Sequence, residues 1–263
     1  MQERINAAKR ILIKIGTATV TQGAKLNQSF LKQKAQEIAL LIKAGKEILL
    51  VSSGAVAAGL EIEGKAIRPR DAFSLQLLSG KGQIRLMKYY KDNFREHGIQ
   101  VAQILLTHHN FNNADEFENL KRVINAYIKE KTLPIINTND VLTKEEFAAG
   151  TSSLFSDNDD LAALVAESLD VGLLLILTDV DGLCTDNPKV NGNAQVVDVV
   201  EKVTPAIEKM ASREAGCYGK GGMLSKVRAA KRVAAKGIPT IVANGKHDIA
   251  DILSQKVKRT VFV

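Results

Sequence analysis

A group of acids and an amide near the middle of the chain has the residue types that bind ligands. Residues 156–160 read Ser-Asp-Asn-Asp-Asp, and the apolar run from Leu161 to Ala166 follows at once. An Asp or Asn at a helix start accepts hydrogen bonds from free backbone N–H groups and suits the positive end of the helix dipole. One capping residue meets that need, so the remaining side chains are candidates for a ligand site.

A lysine lies inside an apolar segment near the amino terminus. Residues 10–17 predict a buried strand that runs into a turn at Gly16, with Lys14 at its carboxyl end. A buried ammonium group is costly unless it finds anions. Two interpretations stay open: an edge lysine whose head reaches solvent, or a cation that serves a ligand.

A glycine-rich segment, residues 216–222, precedes the last long helical pattern, which runs from Met223 to Lys236. Backbone N–H groups of permissive glycines at a helix N-terminus can cradle phosphate, although the spacing here differs from the Walker pattern. A plain surface loop is the alternative. The neighbouring cations Lys220, Lys226 and Arg228 favour the phosphate interpretation.

Polar residues also follow three other predicted strands. The segments are Ser53-Gly54-Ala55 after the strand 47–52, Asn137 to Asp140 after 133–136, and Thr178-Asp179 after 171–177. Small residues can serve helix packing, and Asn-rich or Asp-rich clusters often form turns. At the carboxyl ends of parallel strands, however, they would share the edge where α/β proteins bind ligands.

The alternation of strands and helices predicts a mostly parallel sheet with helices on both faces. Among the helical patterns, Asn27 is a predicted N-cap, and residues 71–97 read as largely helical with an interruption at residues 80–82. His108 and His109 follow the strand 99–106 and lack a third ligand at metal spacing, which indicates a polar loop.

The composition is that of a globular protein. The chain has 263 residues, of which 45% are hydrophobic and 25% charged, enough for one large domain or two small lobes. The longest apolar block, residues 171–177, is too short to span a membrane, and the first residues do not resemble a signal peptide. Cys184 and Cys217 lie far apart, so we expect reduced thiols in a cytoplasmic protein.

The net charge of +7 is concentrated near the carboxyl terminus. Residues 215–263 hold ten lysines or arginines and two acids. Such a segment can bind nucleic acid or a polyphosphate ligand, or it can be a solvated face. Its only aromatic residues are Tyr218 and Phe262, which makes nucleic acid the weaker interpretation.

Taken together, the strand-end segments resemble the amino acid kinase family over nearly the whole chain. The order and spacing of the segments are far more specific than any one of them, and the matching residues are 14–16, 51–59, 134–140, 155–161, 177–183 and 219–226. The resemblance implies a three-layer αβα sandwich around a mostly parallel eight-stranded sheet. It also implies a single domain over residues 1–263, with an amino-acid lobe of about residues 1–170 and an ATP lobe of about 171–263. We expect no PUA domain, which many bacterial members append.

Within the family, the segments are most similar to the branch that phosphorylates the γ-carboxylate of L-glutamate with ATP in proline biosynthesis. That resemblance makes Lys14 and Lys226 the cations at the migrating phosphoryl group and Asp159 the acid that holds both. The implied substrate contacts are Ser53, Gly54, Ala55, Asn137, Asp140, Asp157 and Asn158. The implied ATP contacts are Lys14, Thr178, Asp179, Lys220, Gly221, Gly222, Met223 and Lys226.

The same resemblance implies that Mg²⁺ is carried on the ATP phosphates, that proline is a feedback inhibitor, and that the chain forms a homo-oligomer, a dimer or tetramer. It implies no nucleic-acid or membrane partner. Four positions depart from the usual family residues, namely Thr138, Ser156, Cys184 and Lys220. Thr138 lies near the segment related to proline inhibition. Acetylglutamate, aspartate or UMP kinase activity and a non-catalytic amino acid sensor are the alternatives.

Overall fold

The fold is given by a computed structural model that describes residues 1–142, 157–188, 190–212 and 222–263, without the side chain of residue 108. Its strands are β1 (Arg10–Ile15), β2 (Thr21–Gln22), β3 (Lys25–Leu26), β4 (Glu47–Ser52), β5 (Val101–Leu106), β6 (Leu133–Thr138), β7 (Leu173–Thr178), β8 (Val199–Val200), β9 (Thr240–Asn244) and β10 (Thr260–Phe262). Its helices are α1 (Gln2–Ala7), α2 (Thr17–Val20), α3 (Gln28–Lys43), α4 (Ala55–Ile62), α5 (Ala72–Arg95), α6 (His108–Asn112), α7 (Ala114–Lys129), α8 (Asn158–Ser168), α9 (Pro205–Ser212), α10 (Met223–Ala234) and α11 (Ile249–Leu253).

Eight of the strands form one sheet in the order β5-β6-β4-β1-β7-β9-β10-β8. All neighbours in it pair in parallel except β9 and β10, which are antiparallel. The predicted mostly parallel eight-stranded sheet is therefore confirmed. Because β1, β4, β6 and β7 run the same way, their carboxyl ends lie at one edge, as the sequence predicted.

The sheet separates two apolar layers, since successive side chains of a strand point to opposite faces. On β1, Ile11, Ile13 and Ile15 pack in the layer that includes residues of α3 and α5. Leu12 packs in the other layer, with residues of α8 and α10. The alternation places Lys14 on the same face as Leu12, toward α8 and α10.

Side-chain caps fix several helix starts. The Asn27 side chain accepts a hydrogen bond from Phe30 N, as its predicted N-cap role requires. Asp71 Oδ1 accepts one from Ser74 N at 2.8 Å. The two histidines begin α6 rather than lying in the predicted loop, because Thr107 and Asn110 form a capping box there.

The predicted interruption of α5 at residues 80–82 is wrong, since the helix is continuous from Ala72 to Arg95. Gly82 of this helix and Gly59 of α4 serve close packing instead. A Cβ atom on Gly82 would lie 1.9 Å from the Ala55 carbonyl oxygen, and one on Gly59 of α4 would lie 2.1 Å from the Leu78 carbonyl oxygen. Only glycine allows the two helices to approach this closely.

Candidate active site

Two lysines from distant parts of the chain share one buried carboxylate. Lys14 Nζ lies 2.6 Å from Asp159 Oδ1, and Lys226 Nζ lies 3.0 Å from Asp159 Oδ2. The side chains of the two lysines are each 5% exposed and that of Asp159 is 0% exposed. A carboxylate with one cation on each oxygen is held in one orientation, and it separates two ammonium groups that would otherwise repel each other.

The environment shifts the pKa values of these groups. Burial raises the pKa of Asp159, but Lys14 and Lys226 outweigh burial and hold that pKa below its ordinary value. Burial lowers the pKa of Lys14, and the charge of Asp159 opposes this shift. Asp159 is therefore an anion at neutral pH, and its charge favours the protonated form of Lys14.

The strand and two helix starts place this group. Lys14 is near the end of β1, Asp159 lies in the first turn of α8, and Lys226 in the first turn of α10. Helix N-termini carry partial positive charge and free N–H groups, so both helices contribute to an anion-attracting environment. Lys226 Nζ also lies 3.5 Å from the Gly222 carbonyl oxygen, at the N-cap of α10.

Ser225 belongs to this site and was missed in the sequence. Its hydroxyl lies 2.6 Å from Asp159 Oδ2 and 2.8 Å from the Gly222 carbonyl oxygen, so it can donate to either acceptor. The signal that pointed to it is its position directly before Lys226, in the helix turn that follows the glycine-rich segment. Ser225 links the start of α10 to the carboxylate.

Asp157 caps helix α8 with one of its oxygens, and Asp157 and Asn158 each keep one further oxygen that a ligand could contact. Asp157 Oδ1 accepts from the backbone N–H groups of Asp159 and Asp160, at 2.8 and 3.1 Å. Asp157 Oδ2 and Asn158 Oδ1 are buried acceptors without a hydrogen-bond partner in the part of the chain that the structure describes. Burial and the neighbouring Asp159 charge raise the pKa of Asp157. Unpaired acceptors on two adjacent residues suit a ligand with an ammonium group.

The Asn158 amide group connects the predicted substrate segments. Its Nδ2 lies 3.1 Å from Ser52 O, 3.0 Å from Ser53 Oγ and 3.1 Å from Asn137 Oδ1. Gly54 has a φ of +111°, which favours glycine, and it is the N-cap of α4 just before Ala55. The ends of β4 and β6 therefore meet the start of α8, and three of the predicted substrate residues, Ser53, Asn137 and Asn158, are joined by hydrogen bonds here.

Asp140 is nearby but already has partners. The hydroxyl of Thr138 donates to Asp140 Oδ1, and the hydroxyl of Ser79 on α5 donates to Asp140 Oδ2. Ser79 is 3% exposed and was not predicted from the sequence. The two hydroxyls orient the carboxylate and leave lone pairs for a further donor.

The predicted nucleotide residues lie at the end of β7 and the start of α10. Thr178 Oγ1 lies 3.3 Å from Asp179 Oδ1, and Asn244 Nδ2 donates to Asp181 Oδ1 at 3.0 Å. Met223 is buried at the start of α10. The predicted contacts Lys220 and Gly221 lie outside the described residues, as do two of the departures and the second cysteine, namely Ser156, Lys220 and Cys217.

The described residues contain neither a metal-binding cluster nor a membrane-spanning helix. Within the ranges given above, His, Cys, Asp and Glu side chains do not form a group of three or more that could hold a metal ion. Over the same ranges, every helix is too short or too polar to cross a membrane.

Comparison with known proteins relates this geometry to a family. A sequence model of the amino acid kinase family matches residues 9–244. A glutamate 5-kinase of Methanosarcina barkeri is 36% identical over 271 aligned positions, which cover 99% of this chain and 70% of the relative. A glutamate 5-kinase of Ralstonia pickettii is 39% identical, with 94% of this chain and 64% of the relative covered. The chain thus spans about two thirds of the length of these relatives.

Solved structures share the fold at low sequence identity. Carbamate kinase from Giardia lamblia, bound to AMP-PNP, superposes with a TM-score of 0.66 at 18% identity, and 100% of each chain is covered. Isopentenyl phosphate kinase gives a TM-score of 0.63, also at 18% identity, over 97% of this chain and 100% of the other. At 18% identity these structures show that the fold is shared, and they show nothing more than the fold.

Proposed function

The chain belongs to the amino acid kinase family, and from this premise we propose that it transfers the γ-phosphoryl group of ATP to the γ-carboxylate of L-glutamate. The observation that carries the proposal is the pair Lys14 and Lys226 on the single carboxylate of Asp159. The proposed product is L-glutamyl 5-phosphate, an acyl phosphate, in the first step of proline biosynthesis.

Charge repulsion is the main obstacle in this reaction. The nucleophile is a carboxylate and needs no general base, but it must approach a triphosphate that is also an anion. Phosphoryl transfer is catalysed mainly by positioning and by cations around the migrating group. We assign that role to Lys14 and Lys226, with Asp159 and Ser225 holding them in place. Loss of one such contact typically costs about 3 kcal/mol, or about 10²-fold in rate.

The amino acid would bind beside this group. Its ammonium group is matched by the free acceptors Asp157 Oδ2 and Asn158 Oδ1. Ser53, Gly54 and Ala55 would contact it from the start of α4, and Asn137 and Asp140 from the end of β6. In this assignment the γ-carboxylate points toward the two lysines.

ATP would bind on the side of β7 and α10. We assign Thr178, Asp179, Gly222 and Met223 to this site, with Lys14 and Lys226 at the phosphates and Lys220 and Gly221 from the glycine-rich segment. The cationic and backbone donors suit phosphate rather than a bare metal ion, so Mg²⁺ would enter on the ATP phosphates and add positive charge there. The division into an amino-acid lobe of about residues 1–170 and an ATP lobe of about 171–263 follows from these assignments.

Two further proposals rest on the family resemblance, namely feedback inhibition by proline and a homo-oligomeric state. A third, the cytoplasmic location, rests on the two separated cysteines. Exposed apolar side chains on α5, Phe73, Leu77 and Ile84, support an association surface.

A hydroxamate assay tests the activity. The protein is incubated with ATP, Mg²⁺, L-glutamate and hydroxylamine, which traps an acyl phosphate as a coloured hydroxamate. We expect formation of γ-glutamyl hydroxamate that requires both ATP and glutamate. Turnover only with acetylglutamate, aspartate or UMP would place the chain in another branch of the family, and glutamate binding without turnover would indicate a sensor.

A matched pair of α10 variants tests the role of Lys226. Lys226→Ala should lower kcat about 10²-fold. Lys231 lies on the same helix, is 55% exposed and pairs with Glu208, so Lys231→Ala should leave kcat unchanged. An effect of Lys226→Ala confined to the KM for glutamate would reassign this lysine to substrate binding.

A further inference from the structure

Gln83 on α5 is a buried polar residue without a role in the assignments above. The residue is 8% exposed, and its Oε1 accepts a hydrogen bond from Asn137 Nδ2 at 3.0 Å. Its Nε2 is buried and has no hydrogen-bond partner in the described ranges. An unpaired buried amide donor is costly to the fold, so its orientation needs a physical reason.

Backbone groups supply that reason. The backbone N–H of Thr138 donates to Asn137 Oδ1 at 3.0 Å, and this donor cannot be exchanged for an acceptor. The Asn137 Nδ2 group must therefore face Gln83, and Gln83 must present its Oε1 to it. A flipped Gln83 would place two NH₂ groups against each other.

The orientation of the Asn137 amide group in turn fixes that of the Asn158 amide group. Asn137 Oδ1 accepts from Asn158 Nδ2 at 3.1 Å, and Asn158 Nδ2 also faces the carbonyl oxygen of Ser52. Asn158 Nδ2 thus points into the protein, and Asn158 Oδ1 is left as the free acceptor. We call the chain of side-chain amides Gln83, Asn137 and Asn158 the amide relay.

The packing of α5 on α4 holds the first member of the relay in place. Gly82, directly before Gln83, lies so close to α4 that a Cβ atom there would be 1.9 Å from Ala55 O and 2.4 Å from Gly59 N. Because the two backbones are in contact, the start of the Gln83 side chain has a fixed position relative to Ala55. Gln83 is therefore placed by the backbone that also forms the predicted substrate segment.

We propose that Gln83 is a positioning residue for the amino acid substrate. It orients Asn137, Asn137 orients Asn158, and Asn158 Oδ1 is thereby directed at the substrate ammonium group. The inference rests on the proposed function, because the ammonium group belongs to the proposed substrate. The unpaired Nε2 of Gln83 is the consequence of this fixed polarity.

Two variants of similar size separate the relay from general packing. Gln83→Met removes the acceptor for Asn137 Nδ2, whereas Gln83→Glu keeps an acceptor oxygen in either protonation state. We expect Gln83→Met to raise the KM for glutamate about tenfold, equal to about 1.4 kcal/mol, with kcat and the KM for ATP within about twofold of wild type. Gln83→Glu should stay within about threefold of wild type in all three constants.

Gln33→Met is the matched control, since Gln33 is an exposed glutamine on α3 that bonds to Glu37 and Asp248 and lies outside the relay. It should leave all constants unchanged. Melting temperatures show which variants fold, and Gln83→Leu, which also lacks the acceptor, replaces Gln83→Met if the latter does not.

Several outcomes would overturn the inference. These are an unchanged glutamate KM in Gln83→Met, equal loss in Gln83→Glu, or a matching rise in the KM for ATP. A wild-type protein without glutamate turnover would contradict the proposed function instead. In that case calorimetric titration with L-glutamate tests the role of Gln83. A Kd about tenfold weaker in Gln83→Met than in wild type supports the role. Equal Kd values, or no binding of glutamate to wild type, overturn it.

Discussion

Two lysines are buried to nearly the same extent in this protein, but their surroundings differ. Lys34 on α3 is 1% exposed and Lys14 on β1 is 4% exposed. Lys34 Nζ bonds to both Glu37 oxygens, at 2.9 and 2.8 Å, and to the His247 carbonyl oxygen at 2.7 Å. Lys14 Nζ contacts Asp159, whose other oxygen is taken by Lys226.

The difference distinguishes a lysine that stabilises the fold, Lys34, from a lysine of the candidate active site, Lys14. An ammonium group has three donors, and those of Lys34 are all used inside the protein. Its partner Glu37 also accepts from the backbone N–H of Ile249, so the pair joins α3 to α11. At the other site two cations share one carboxylate, and this arrangement retains attraction for an anionic ligand. Burial of a lysine therefore does not by itself indicate function; the balance of cations and carboxylates around it does.

Among the lysine variants compared, we expect Lys34→Met to cause the largest loss in the free energy of unfolding. Removing this cation leaves the partly buried Glu37 carboxylate without its charged partner, which costs about 3 kcal/mol in the free energy of unfolding, the lower end of the range for buried pairs. The kcat of the folded fraction should stay within about twofold of wild type, because Lys34 lies outside the candidate active site. Urea denaturation and steady-state kinetics measure the two quantities.

Lys32→Met provides the control for that variant. Lys32 is on the same helix and its side chain is 63% exposed, in an ion pair with Glu96. Its loss should change the free energy of unfolding by no more than about 1 kcal/mol. If Lys34→Met lowered kcat as strongly as stability, Lys34 would belong to the site and the distinction would be wrong.

For Lys14→Met the expected pattern is reversed. The kcat should fall about 10²-fold, since one of the two cations at the migrating phosphoryl group is gone. Stability should change less than in Lys34→Met, because Asp159 keeps Lys226 and Ser225 as partners. Lys9→Met is a suitable control, since Lys9 directly precedes β1 and its side chain is 75% exposed. A Lys14→Met enzyme with wild-type kcat would remove Lys14 from the proposed mechanism.

The sequence predicted the mostly parallel sheet because that fold depends on local patterns, and it placed Lys14, Asp159 and Lys226 in segments that the structure brings together. Apolar runs of strand length marked β1, β4 and β7, and polar residues directly after or within them marked one sheet edge. The sequence did not predict that Lys34 is buried, because it occupies the same helical pattern as exposed lysines and its partner at His247 is distant in sequence. Gln83 and Ser79 were missed for a related reason, since their partners lie on β6 and at its end.

The smallest predicted effect is a change in how the free energy of unfolding depends on pH in the acid range. It tests whether both lysines lower the pKa of Asp159. Lys14 and Lys226 hold the pKa of Asp159 below its ordinary value against the effect of burial. In the unfolded chain Asp159 takes up its proton near pH 4, while in the folded protein it stays ionised to lower pH. Its contribution to stability is thus present above about pH 4 and is lost as the pH falls toward the folded pKa.

Removing Lys14 should weaken this dependence, since a single lysine then depresses the pKa less. As the pH falls from about 5 through the folded pKa of Asp159, the free energy of unfolding should decrease less in Lys14→Met than in wild type, by about 1.4 kcal/mol in total for each pKa unit that Asp159 regains. Urea denaturation across that range measures the two total decreases, with Lys25→Met, at an exposed lysine of β3, as a control for a lost surface charge. Parallel curves for wild type and Lys14→Met would mean that Lys226 alone sets the charge state of Asp159, and Lys14 would then be tied to the site by position only.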